Sequence, residues 1–110
     1  MTVLLTLLLA AVLEEVLFRG GLQEWLWRRG LSAVWGGLSQ ANVLTSSAFA
    51  LAHGLTRSWP LAACAGVAGL LLGWVYDRQR RLWPCMALHA GMNLVWWWIR
   101  PLADWSWLGA

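Results

Sequence analysis

The sequence predicts an all-α protein, an integral membrane helical bundle of about four transmembrane helices plus a short interfacial helix. Three observations predict it. Hydrophobic residues make up 60% of the 110 positions and charged residues only 12%, about half the charged share of a soluble domain. Tryptophan occurs 11 times, and all 8 basic side chains are arginine. Three runs of 18 or more residues carry no formal charge, enough to cross or nearly cross a hydrocarbon core of about 30 Å. A water-soluble core in so short a chain would need far more polar surface to cover it. High apolar content with a net charge of +3 excludes disorder.

The first apolar run starts at Met1 and is expected to stay helical to Arg19, with a break or bend near Gly20 and Gly21. It has no basic leader and no small-residue cleavage site, so it does not read as a cleaved signal peptide. Leu22 to Arg29 mixes tryptophan and leucine with terminal arginines, the composition of an interfacial helix. The second run covers Gly30 to Ala52, the third Trp59 to Tyr76 and the fourth Leu82 to Ile99. No repeat or low-complexity linker divides them, so residues 1–110 are expected to form a single domain.

Orientation follows from the arginines. An alternating four-span path puts Arg28, Arg29, Arg78, Arg80 and Arg81 on one side and only Arg57 and Arg100 on the other. The excess makes the first side cytoplasmic and both termini external. Arginines in short clusters between apolar runs read as topology, not as a nucleic-acid stripe, despite a pI near 9.7. Trp25, Trp27, Trp35, Trp74 and Trp83 fall near one interface, and Trp59 with Trp96 to Trp98 near the other. Cys64 and Cys85 lie in apolar segments without metal or redox spacing and are expected to be buried packing thiols. In the third run Gly66, Gly69 and Gly73 recur with Ala62 and Ala65 at helical spacing, a face on which backbones approach closely.

Ionisable groups within a membrane are expensive and mark functional sites by default. Glu15 and Arg19 stand at i and i+4 in the favourable order for an ion pair. Glu14 projects about 100° away and is not committed to that pair. A general base with a supporting ion pair has this form, and so does a span that simply ends at the interface. His53 closes the second run, and His89 and Asn93 share a face of the fourth. Each polar insertion must find a partner in lipid, and the economical solution is that they meet. A carboxylate and a histidine can orient a water and take its proton, while a histidine and an amide can donate to an oxyanion. Hydrolysis of an amide by activated water is the reaction class that suits this set.

Glu14-Glu15-Val16-Leu17-Phe18-Arg19-Gly20, Phe49-Ala50-Leu51-Ala52-His53 and His89-Ala90-Gly91-Met92-Asn93 resemble the three motifs of the CPBP intramembrane protease family. That family includes the Ras-converting CAAX endopeptidases and bacterial proteins grouped as bacteriocin-processing or self-immunity proteins. Gly69 to Arg78 and the Leu82-Trp83-Pro84 lead-in also resemble it, so the likeness runs from about Leu13 to Asn93. The resemblance implies a glutamate-dependent intramembrane endopeptidase of a bacterial cytoplasmic membrane. Glu14 would activate water with His53, His89 and Asn93 would hold the oxyanion, and Glu15 with Arg19 would support the site. It implies a membrane protein or lipidated peptide as substrate, the bilayer as surroundings, no nucleic-acid partner and no cofactor. Zinc held by Glu14, His53 and His89 is the alternative, although no HExxH signature is present. Family members usually carry further helices before the glutamate motif, and here 13 residues precede Glu14. The rival functions are a non-catalytic immunity or partner-binding protein and a proton pathway through Glu14, His53 and His89. If the second helix begins at Gly30, His53 and His89 lie at different depths; a start near Gln40, or tilt, would level them.

Overall fold

The computed structural model describes residues 2–108. Helix α1 spans Val3–Glu15, capped by the Thr2 side chain, which accepts from the Leu5 N–H at 3.1 Å. The chain does not break at Gly20 and Gly21. It continues as a π-helical segment, Val16–Gln23, and then as α2, Glu24–Arg28. Glycine lowers α-helical preference without blocking it, so two in succession leave room for the wider turn. The expected separate interfacial helix is therefore the five-residue end of a longer rod.

The second apolar run is not one span. Val34–Trp35 (β1) and Leu38–Ser39 (β2) form an antiparallel hairpin with Val34 opposite Ser39. Gly36 and Gly37, at φ +60° and +85°, make its turn, and two successive positive φ angles are what a tight hairpin turn demands. Helix α3 then covers Gln40–Thr56, with Ser39 as N-cap accepting from Asn42 N–H at 3.0 Å. This start, ten residues later than the apolar run suggested, brings His53 level with His89.

Ser58 caps α4, Trp59–Gln79, and Arg80 closes it in a left-handed conformation at φ 53°. Helix α5, Leu82–Ile99, matches the predicted fourth run. Two short 3-10 turns follow, Arg100–Leu102 and Ser106–Leu108. The body measures 43 × 25 × 22 Å.

By length and composition, α4 is the one helix among the described residues able to cross a membrane alone. The α1 rod is interrupted by charge and glycine, and α3 carries several hydroxyl and amide side chains over 17 residues. Helix α5 spends four of its positions on tryptophan and two on His89 and Asn93.

Burial differs from that of a water-soluble fold in its large share of enclosed polar groups and exposed large apolar ones. Glu15, Arg19, Gln23, Asn42 and Thr45 have no exposed surface, while Leu13, Leu17, Leu55, Val67 and Trp98 are more than half exposed. Helix α3 lies against α4, and α5 packs on α1 and α4. The glycine face is where the closest approaches occur. A Cβ on Gly66 would stand 3.3 Å from that of Ala50, and one on Gly73 would collide with the Asn42 amide. The cysteine expectation holds for Cys85, which is buried, and fails for Cys64, which is exposed: its position on α4 faces an open cavity rather than a neighbouring helix.

Candidate functional site

The site grows from a polar seam along the rod. In an α-helix a residue four positions on is displaced by about 40° and one eight positions on by about 80°. The wider turn of the π segment, with its i+5 bonding, reduces that drift. Glu15, Arg19 and Gln23 consequently share one buried face. They meet a matching series on α4, which also advances by four residues: Gly69, Gly73 and Asp77. Arg19 Nη2 donates to the Gly69 carbonyl at 2.5 Å, and Gln23 Nε2 donates to the Gly73 carbonyl at 3.0 Å and to Asp77 Oδ1 at 2.9 Å. The absence of a side chain at both glycines exposes those carbonyls, whose second lone pair is free to accept.

Arg19 Nη1 also reaches Glu15 Oε1 at 3.3 Å, so the i, i+4 pair forms with both side chains fully enclosed. The same carboxylate oxygen accepts from His89 Nδ1 at 2.8 Å. On the other edge of the imidazole, Nε2 lies 3.3 Å from Glu14 Oε2. The two adjacent glutamates thus flank one histidine. They differ in access: the Glu14 side chain is 33% exposed and that of Glu15 is sealed.

His53 arrives from α3. Its Nδ1 donates to the Phe49 carbonyl one turn back at 2.8 Å, because a carbonyl can only accept. That bond leaves Nε2 as the ring's acceptor. Phe49 is the organising side chain between the elements. Its ring packs against His53 at 4.4 Å, Phe18 at 4.9 Å and His89 at 6.1 Å, with the Arg19 guanidinium 5.4 Å from its centroid.

Asn93, one turn beyond His89, ties α5 to α1 by donating from Nδ2 to the Leu7 carbonyl at 3.0 Å. One of its two amide hydrogens is used there, and the other remains. Glu14, His53, His89 and Asn93 all line one cavity of about 330 Å³, whose other walls include Phe49, Cys64, Leu72 and Met92. Glu15 and Arg19 lie behind it. The six residues singled out in the sequence therefore assemble around one place, four at the cavity and two in support.

Among the described residues no three His, Cys, Asp or Glu side chains are grouped to hold a metal ion. One ring nitrogen of each histidine is already bonded, His53 to Phe49 and His89 to Glu15.

Sequence reasoning missed a second tier of buried polar groups. Gln23 continues the four-residue step from Glu15 and Arg19, a signal that was readable. Asn42 donates to the Leu70 carbonyl at 3.0 Å and accepts from Ser46 Oγ at 2.9 Å, locking α3 to α4. Its cue was the glycine opposite it. Nearer the rod's end, Glu24 accepts from Tyr76 at 2.8 Å, Arg28 at 3.0 Å and Arg80 at 2.6 Å. Burial works against ionisation there, yet the Tyr76 and Arg28 hydrogen bonds and the Arg80 and Arg28 charges hold the Glu24 carboxyl below its usual range. This cluster joins the arginines of the predicted cytoplasmic side at one end of the molecule.

A family model described as type II CAAX prenyl endopeptidase Rce1-like matches residues 1–95. The chain belongs to the Rce1-like family. The matched span contains all six site residues. No curated protein and no solved structure matches the chain. The Rce1-like family consists of membrane proteins, and membership implies a peptide hydrolase in general terms. The motif likeness in the sequence pointed to the same family.

Proposed function

We propose that this Rce1-like chain is a glutamate-dependent intramembrane endopeptidase, embedded as a four-helix bundle in a bacterial cytoplasmic membrane. The observation that carries the reading is the convergence of Glu14, His53, His89 and Asn93, from three helices, on one cavity. The burial supports the bundle, since Glu15 and Arg19 are enclosed while large apolar side chains such as Leu17 and Val67 face outward, as lipid demands.

In this reading Glu14 is the base, being the carboxylate with access to the cavity. It accepts a proton from water while the Nε2 lone pair of His53 helps to orient that water. The water oxygen bonds to the scissile carbonyl carbon, and the carbonyl oxygen becomes the oxyanion. The second amide N–H of Asn93 donates to it, and so does the Nε2–H of His89, which in its imidazolium form donates from both ring nitrogens. Collapse breaks the C–N bond, and the proton held by Glu14 passes to the departing amine. Glu15 anchors His89 through Nδ1, and Arg19 anchors Glu15. Proton transfer of this kind contributes about 10²–10⁴-fold, and each oxyanion donor about 10²–10³-fold. The substrate is a membrane-associated protein or lipidated peptide cut near its C-terminus.

The test is cleavage of membrane peptides by the reconstituted wild type, Glu14→Gln and His89→Ala, each with and without a chelator. The proposal expects both variants to lose at least about 10²-fold and the chelator to change nothing. Cleavage that survives Glu14→Gln ends the mechanism. Loss on chelation alone transfers it to a zinc-bound water. Unaltered proton flux through Glu14→Gln liposomes is expected, and its loss would favour the proton pathway.

A further inference from the structure

One wall of the candidate site comes from outside the span that the family model matches. Glu14, His53, His89 and Asn93 all fall within residues 1–95, yet Leu108 lines the same cavity. Leu108 is 5% exposed and is the one buried side chain among the described residues beyond 95. Around it the chain is open, with Leu102 and Trp107 more than half exposed. A single enclosed leucine in so exposed a stretch builds no core of its own. What it covers is the site.

The local sequence turns the chain back to reach that place. Helix α5 ends at Ile99, and Pro101, which cannot continue it, stands in the 3-10 turn that follows. The Asp104 carboxylate then accepts from the Ser106 N–H at 2.9 Å, a turn closed by a short acidic side chain. The Leu108 N–H donates to the Trp105 carbonyl at 2.9 Å and completes the reversal. Two contacts fasten the segment. Trp105 rests edge to face on Trp96, with 5.3 Å between ring centres, and Trp96 is itself a wall of the cavity. The Leu108 carbonyl accepts from the Ser58 hydroxyl, whose oxygen in turn caps α4 at the Leu61 N–H. The fastening is incomplete, because Trp105 Nε1 is enclosed without an acceptor, which counts against the closed position. Exposed chain held by few buried apolar groups opens locally at less cost than the whole fold.

We infer that residues 103–108 form a strap that closes one side of the candidate site and swings away when a peptide enters, so that the chain restrains its own activity. What is restrained rests on the endopeptidase reading above. The hinge is Arg100–Leu102, between the end of α5 and the first fastening at Trp105. A binding-competent state populated at about 0.1–10% weakens apparent affinity by that fraction. Loosening the strap therefore lowers KM and leaves kcat alone, since Glu14, His53, His89 and Asn93 are untouched. Trp105 and Leu108 act on access; the bond-breaking groups remain Glu14 and His53.

The experiment places wild type, Leu108→Ser, Trp105→Ala and Trp107→Ala in the same vesicles with a fluorogenic peptide that carries a single apolar span. Leu108→Ser and Trp105→Ala should each lower KM by about tenfold or more at similar kcat. Trp107→Ala, which alters a mostly exposed ring of the same segment, should match wild type. Amide hydrogen exchange of residues 103–108 in Glu14→Gln, with and without the same peptide, reads the strap without turnover and without altering it. Saturating peptide should speed that exchange by about tenfold or more. Faster exchange with no cleavage by any of these proteins keeps the strap and removes the endopeptidase reading. Cleavage with KM unchanged in both strap variants overturns the inference and leaves that reading intact. Exchange that the peptide slows or leaves unchanged overturns it too, because the segment is then a fixed wall of the binding site.

Discussion

Arg19→Met tests whether the enclosed ion pair is a support of the site or an incidental contact. The substitution keeps an unbranched side chain of similar reach and deletes the charge. It removes the 2.5 Å bond to the Gly69 carbonyl and the 3.3 Å contact to Glu15. Glu15 is left with no exposed surface, one oxygen already without a hydrogen-bond partner, and His89 as its remaining contact. Removing one partner of a buried pair costs about 3–5 kcal/mol, which is a fifth or more of the roughly 5–15 kcal/mol that holds a typical domain. Glu15→Gln with Arg19→Met should recover most of the loss, since a buried pair replaced by neutral groups is often close to neutral. The assay is reversible unfolding in mixed micelles, read by tryptophan fluorescence, on wild type, both single variants and the double variant. Ordinary interhelical hydrogen bonds in membranes couple by about 0.6 kcal/mol and at most about 1.7. A coupling above about 2 kcal/mol therefore identifies an enclosed charge pair. A cost for Arg19→Met below about 1 kcal/mol would refute the reasoning, because Glu15 would then not depend on that cation.

Gly73→Ala places a methyl group into the Asn42 amide and within 2.9 Å of Gln23 Oε1; it should cost about 1–3 kcal/mol in the same unfolding assay, while Gly91→Ala, with open space around it inside α5, should cost nothing and stabilise by up to about 1 kcal/mol. Phe49→Ala removes the ring between His53, His89 and Phe18 and should cost about 3–5 kcal/mol, with peptide cleavage falling further than unfolding alone explains. The Glu24 carboxyl titrates below its usual range in the folded protein, so its stabilising contribution is complete above the ordinary carboxylate pKa and disappears as pH falls through the lowered folded value. An acid-unfolding series should accordingly show wild type and Glu24→Gln converging at low pH and separating near neutrality. A water-soluble maleimide should label Cys64, which is exposed on the cavity wall, and leave Cys85 untouched, and a bound peptide should slow that labelling.

The parts of the fold that were legible in the sequence are those governed by hydrophobic run and by punctuation. Helix α5 begins and ends where its uncharged run does, because Arg81 and Arg100 bound it. Helix α4 runs three residues past its uncharged stretch, since Asp77, Arg78 and Gln79 lie at a helix end where polar groups reach solvent or partners. The second run misled because absence of charge says nothing about backbone. Gly36, Gly37 and Ser39 were turn and cap signals inside an apolar stretch, and they outranked its hydrophobicity. The π segment was hard to read for a different reason. Gly20 and Gly21 leave room for a wider turn, but the alignment of Glu15, Arg19 and Gln23 with the α4 glycines that makes use of it is a tertiary match. Among the site residues, the pairings Glu15 with Arg19 and His89 with Asn93 on shared helix faces were readable from spacing. The direction of each bond was not: that Glu14 faces the cavity and Glu15 the interior depends on where α4 and α5 stand.

In the bilayer proposed for this bundle, lipid tails are as apolar as leucine, so burial of apolar surface would not hold the helices together, and packing and polar contacts must. Here the polar contacts are the site itself. The Glu15–Arg19–Gly69 chain joins the rod to α4, His89 joins α5 to Glu15, and Asn93 joins α5 to the Leu7 carbonyl. The half of the cluster that fixes geometry is thus also the half that holds the bundle. Glu14 and His53 differ, since Glu14 makes only the longer contact to His89 and the His53 ring is bonded within its own helix. Substituting either of these two should therefore remove chemistry and spare the fold, whereas substituting Glu15 or Arg19 should damage both together. A site divided in this way lets the carboxylate proposed as the base stay accessible without weakening the assembly, because the stabilising charge lies on its immediate neighbour in the chain.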